Sequence, residues 1–122
     1  MRRLLSVLAF VLLIVGTAAA QNPPFEAVGR WQFRHTDGSP FTGRLLPNQT
    51  ATTDFGKGEH GIWRWQGPAL HTMYTDGWDD VLTLEADGRL IKRAWGPGAD
   101  RCGPPTNSGS AERLSADPGP PL

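Results

Sequence analysis

The sequence predicts an all-β fold: a small antiparallel up-and-down meander curled into a barrel or half-open roll. Three observations predict it. Turn signals recur about every ten residues between Gly29 and Trp95, at Asp37-Gly38, Gly56-Lys57-Gly58, Gly67-Pro68, Asp76-Gly77 and Asp87-Gly88. The runs between them are rich in aromatic and β-branched residues and alternate with period two. Nothing in that stretch carries helical periodicity for more than a turn or two.

Residues 1–20 read as a signal peptide. Arg2 and Arg3 form a basic start, Leu4 to Val15 an apolar stretch, and Ala18-Ala19-Ala20 a small-residue cleavage site before Gln21. The rival reading, an uncleaved anchor, needs roughly 20 apolar residues, and the end of this segment is weakly apolar. The expected location is therefore exported, periplasmic or extracellular, with no stable membrane anchor after cleavage. Residues 21–27, with Pro23-Pro24 and no periodicity, form an extended lead-in to a domain at 28–98.

Seven strands are predicted within that domain. In Gly29–Thr36 the residues Trp31, Phe33 and His35 share one face, and Arg30, Gln32 and Arg34 the other. Phe41, Gly43 and Leu45 align in the second strand, before Pro47 and Asn48 close it; Gly43 suits a sharp bend in a narrow barrel. Ala51, Thr53 and Phe55 align in a third, threonine-rich strand. Trp63 and Trp65 share a side opposite Arg64. In Ala69–Thr75, Leu70, Thr72 and Tyr74 oppose His71 and Met73. Trp78–Leu84 and Arg89–Trp95 complete the set, with Ile91, Arg93 and Trp95 on one face and the final strand near an edge. A flat meander would leave edges unpaired and aromatics wet, so curling is expected, a two-sheet sandwich being the competitor. Residues 99–122, rich in Gly, Pro and Ser, are expected to form a disordered tail that packs no core.

Charge and cysteine content exclude several classes. The chain has 12 Lys+Arg and 12 Asp+Glu, and removal of Arg2 and Arg3 leaves a net charge of −2 with histidines neutral. The charges are interspersed, without the basic clustering that nucleic acid or anionic membranes require. A single cysteine, Cys102, allows no internal disulfide, so the core must hold the domain together unaided.

Gly29-Arg30-Trp31 at the start of the first strand resembles the opening motif of lipocalins and of the broader calycin barrels, which include avidin-like proteins. Gly61-Ile62-Trp63, followed by Gly67 and Leu70, is similar to the middle of small bacterial lipocalin-like domains. The resemblance implies a barrel whose end is closed by Trp31. It implies no particular ligand residue.

Candidate sites follow from the aromatics. Trp63, Trp65, Tyr74 and Trp78 offer flat surfaces for a small hydrophobic or sugar-like ligand, against the plainer reading that they form the core. Trp78 stands out, because it follows a turn glycine and precedes two acids. Asp76-Gly77-Trp78-Asp79-Asp80 lacks the spacing of a calcium loop, and Asp-Gly is ordinary hairpin chemistry. A glycosidase pair, Asp79 with Glu59, would need a separation that the sequence does not set. His35, His60 and His71 lack zinc-ligand spacing, and Ser39 lacks a nucleophile motif. No catalytic, metal or cofactor site is expected. The reading is a non-enzymatic exported binding domain; the alternative is a protein-interaction module, such as an inhibitor of an exported hydrolase, with Gln21 to Val28 as a projecting trunk. A cavity of a few hundred Å³ lined by aromatics favours the first, and a filled barrel with an exposed Trp78 loop favours the second.

Overall fold

The computed structural model describes residues 22–122; the predicted signal peptide at 1–20 lies outside the described residues. Eight strands follow in order: β1 (Gly29–Arg34), β2 (Pro40–Leu45), β3 (Thr50–Thr53), β4 (Glu59–Gln66), β5 (Ala69–Tyr74), β6 (Asp79–Leu84), β7 (Leu90–Trp95) and β8 (Asn107–Ser115). Each pairs antiparallel with the next, and β8 returns to pair with β1, so the sheet closes into an up-and-down barrel. The predicted turns stand where expected, with Gly38, Gly67, Gly77 and Gly88 at the positive φ that tight turns require.

The eighth strand corrects the expectation of a disordered tail. β8 pairs Ala111 with both Phe33 of β1 and Leu90 of β7. Its apolar signal is faint, because among its nine residues only Ala111 is both apolar and buried. What recruits it is the pair of edges that seven strands would leave open, two rows of unpaired N–H and C=O groups. Beyond β8 the chain crosses the outside of the barrel. Arg44 donates to the Pro118 carbonyl, and the Leu122 amide donates to Thr52 Oγ1 at 3.0 Å.

The same closure corrects the reading of β7. Ile91, Arg93 and Trp95 do share a face, but it is the outer one, where Arg93 bonds Thr83 at 2.9 Å and Glu85 at 3.2 Å. Lys92 and Ala94 occupy the buried face, and both edges of the strand are paired. In β5 the ambiguity resolves with Leu70, Thr72 and Tyr74 inside.

One end of the barrel is sealed by aromatics. Trp31 is fully buried, its Nε1 donates to the Ala27 carbonyl at 2.9 Å, and its ring stacks on Phe33 at 5.9 Å. Gly43 lies across from Trp31, and a Cβ there would come within 2.5 Å of the Phe33 ring, so this glycine makes room for an aromatic. Arg113 of β8 donates from Nε and from its terminal nitrogen to the Val28 carbonyl, at 3.0 and 2.7 Å. Phe25 lies edge-on to Trp31 and Trp65, at 6.0 and 4.9 Å, as a plug. The lead-in is thus part of the core from Phe25 onward.

Two outcomes follow. Phe25→Ala should lower the free energy of unfolding by about 1–3 kcal/mol in a denaturant titration, less than for a fully buried Phe because the ring is half-buried. Truncation after Pro105 should abolish cooperative melting and promote aggregation measured by light scattering, since it reopens the edges of β1 and β7.

Candidate functional site

The opposite end carries the β1–β2, β3–β4, β5–β6 and β7–β8 loops, and there the interior changes character. Inward alternation places Glu59 of β4, Asp80 of β6 and Lys92 of β7 inside the wall, and all three are buried, at 5, 4 and 1 % exposure. Above them stand His35, Phe41, Phe55 and Trp78, with Asn107 of β8 beside them. The rings touch in series: His35 on Phe41 at 4.7 Å, Phe41 on Phe55 at 5.5 Å, Phe55 edge-on to Trp78 at 6.1 Å. Asn107 Nδ2 lies 3.2 Å from His35 Nδ1.

The pit beneath this rim leaves about 20 Å³ to the centres of water molecules, room for one or two waters. It adjoins a shallow surface groove of about 430 Å³ that shares His35, Phe55, Trp78 and Asn107 with it and adds Asp37 and Thr106. The site is therefore a groove at the mouth with a small polar floor, and the barrel interior below is filled by side chains.

Electrostatics at the floor are unusual. Thr53 Oγ1 donates to Glu59 at 2.7 Å. Burial dominates all the same, and together with Asp76 and Asp80 it pushes the Glu59 carboxyl up to about 8. Burial also raises Asp80 to about 7, against the pull of Lys92 and with the help of Asp76. Burial lowers Lys92, an effect that Asp80 and Glu59 only partly offset. The same cause, followed by the charge of Lys92, lowers His35. Lys92 Nζ lies 4.9 Å from the centre of the Phe41 ring and 3.4 Å from Asn107 Oδ1. Among the described residues it has no carboxylate oxygen within 4 Å. Asp80 makes no side-chain hydrogen bond among the described residues, although it is buried and faces the pit.

The four residues singled out in the sequence do not converge. Trp63 is buried in the core, with its Nε1 donating to the Leu46 carbonyl at 2.9 Å. Trp65 lies at the sealed end against Phe25. Tyr74 is buried toward the open end, its hydroxyl pKa raised by burial and by Asp80. Only Trp78 reaches the mouth, half-buried and solvent-accessible. Lys92, Asn107 and the rim phenylalanines were missed. Lys92 was hidden by its outward neighbours Ile91 and Arg93, and Asn107 by its place in the supposed tail.

Asp79 and Glu59 lie on opposite sides of the barrel wall. Asp79 faces outward, where it pairs with Arg101 and lies 3.9 Å from His71 Nε2. Among the described residues no group of three His, Cys, Asp or Glu side chains is placed to hold a metal ion. Cys102 is exposed. Comparison with models of protein families, with curated proteins and with solved structures returns no match.

The raised carboxyls make stability depend on pH. An acid whose folded pKa exceeds its unfolded value is favoured protonated in the fold, so stability is highest below the unfolded pKa and declines as pH rises through the folded one. For Asp80 the window runs from 3.8 to about 7, and for Glu59 from 4.5 to about 8. His35, His71 and Lys92, whose pKa values burial lowers, contribute the opposite slope, so the carboxyl effect is read as a difference. From pH 4 to pH 7 the melting midpoint of the unmodified protein should lose ground relative to that of Asp80→Asn, as calorimetry across the range checks.

Proposed function

We propose that this chain is an exported, non-enzymatic binding domain of lipocalin-like type, taking a small hydrophobic or sugar-like ligand at the open end of its barrel. The ligand's flat or apolar body lies in the groove on Trp78 and Phe55, and a compact polar group reaches the floor beside Lys92, Asp80 and Asn107. One observation carries the reading: buried ionisable groups, costly to any fold, gather under solvent-accessible aromatics at one end of an interior otherwise filled with uncharged side chains. Ligand sites combine apolar walls with a few placed polar groups in this way. The eight-stranded antiparallel barrel with Trp31 inside its sealed end is consistent with the lipocalin-like reading.

The alternative, an inhibitor of an exported hydrolase, draws on Gln21 to Val28 as a projecting trunk. Phe25 and Ala27 are instead packed against the core. The filled interior and the exposed turn before Trp78 favour a protein partner on volume alone; the buried polar groups beneath Trp78 are what favour a small ligand at the mouth.

Tryptophan fluorescence titrated against a panel of monosaccharides and small aromatic compounds tests this. At least one compound should shift the emission, the response should vanish in Trp78→Phe, and it should persist in Trp65→Phe at the sealed end. A flat titration across the panel, or a response that survives loss of Trp78, would overturn the assignment.

A further inference from the structure

Lys92 has a setting that neither packing nor ion pairing explains. The residue is 1 % exposed, yet among the described residues its nitrogen has one long hydrogen bond, to Asn107 at 3.4 Å, and an aromatic ring at 4.9 Å. Buried lysines are ordinarily paired, because an ammonium gives up strong hydration on entering the protein. This one faces the pit of the mouth site instead, beside two buried acids.

We propose that Lys92 is a covalent anchor, whose Nζ adds to the carbonyl carbon of a small aldehyde whose body lies in the groove on the aromatic rim while its carbonyl enters the pit, and holds it as a reversible imine. The inference rests on the mouth being the binding site, and it deepens that reading by naming the ligand class.

The chemistry balances without any co-reactant. The nitrogen lone pair forms the C–N bond while the carbonyl π electrons pass to oxygen, which takes a proton to give a carbinolamine. The nitrogen then releases a proton, the hydroxyl takes one and leaves as water, and the protonated imine that remains gives up its last N–H proton to leave C=N. Each aldehyde consumed yields one imine and one water, and hydrolysis reverses both steps. Three features of the pit suit these steps. Burial lowers the pKa of Lys92 and so favours the neutral, nucleophilic amine. Glu59 and Asp80, both raised by burial, hold protons near neutral pH and serve as donors for dehydration. The face of the Phe41 ring, 4.9 Å from Nζ, and the charge of the carboxylate left once an acid has given up its proton steady the protonated imine. The rim rings accept the aldehyde's body.

The chain has one other lysine, Lys57, in the exposed β3–β4 loop, which provides an internal control. The intact protein is incubated at pH 7 with benzaldehyde and sodium cyanoborohydride, and benzylation at each lysine is followed by peptide mass spectrometry. Labelling of Lys92 at least tenfold faster than of Lys57 is expected, and Lys92→Arg should abolish it while leaving the slow reaction of Lys57 unchanged. A ratio below tenfold overturns the anchor. Benzyl alcohol, which has the ring but no carbonyl, separates the two readings. If it perturbs Trp78 fluorescence while benzaldehyde fails to label Lys92, the mouth still binds and the anchor is wrong. If benzyl alcohol is silent and Lys92 is unlabelled, neither reading survives for this ligand class.

Discussion

Closure of the sheet is the constraint on which this molecule depends. With β8 between β1 and β7, each strand is paired along both edges, and a chain of this size without a disulfide leaves no exposed ladder for another chain to extend. Closure also sets the bore. An eight-stranded barrel is about wide enough for its own side chains, and here Trp31, Phe33, Trp63 and Leu70 take up the space on the sealed side. The filled interior of the described barrel therefore follows from strand number and aromatic content together, and the proposed ligand is placed at the mouth for that reason.

The two ends of the barrel express opposite physical choices. At the sealed end, polar groups serve the aromatics: the Trp31 indole is satisfied by Ala27, and Arg113 reaches the Val28 carbonyl. Burial there stabilises the fold. At the open end, Glu59, Asp80 and Lys92 are buried with few partners, and removing charge from water opposes folding unless the charge is neutralised or paired. The shifts that follow, carboxyls upward and the lysine downward, move the pit toward neutrality in its two kinds of group at once. Acids pushed toward their protonated form and an amine pushed toward its free base are a more reactive set as well as an electrostatically cheaper one, which joins the stability of this end to its proposed chemistry.

Legibility in the sequence divides along the same line. Trp31 and Phe33 announced the inside of β1 because both inward residues are large and apolar while Arg30, Gln32 and Arg34 are polar. The Asp-Gly turns were readable because positive φ demands glycine. β7 misled, since its outer residues Ile91 and Trp95 are larger and more apolar than its inner pair, Lys92 and Ala94; Trp95 is covered from outside by the β7–β8 loop, where its Nε1 donates to Gly103. β8 was invisible for the related reason that a strand held by two flanking ladders needs little hydrophobic pattern of its own. The partly exposed place of Trp78 was readable from its turn position, whereas Trp63 and Trp65 share its chemistry and differ only in which end of the barrel they reach.

By itself, then, the sequence determined the class of fold and most of its strands, because local alternation and turn chemistry act over a few neighbouring residues and leave their mark in composition. Only the tertiary structure decided the closing strand, the inward face of β7 and the meeting of Glu59, Asp80, Lys92 and Asn107 at one mouth. Those depend on backbone hydrogen bonds between segments far apart in the chain, and such bonds place no requirement on side-chain identity that could be read in advance.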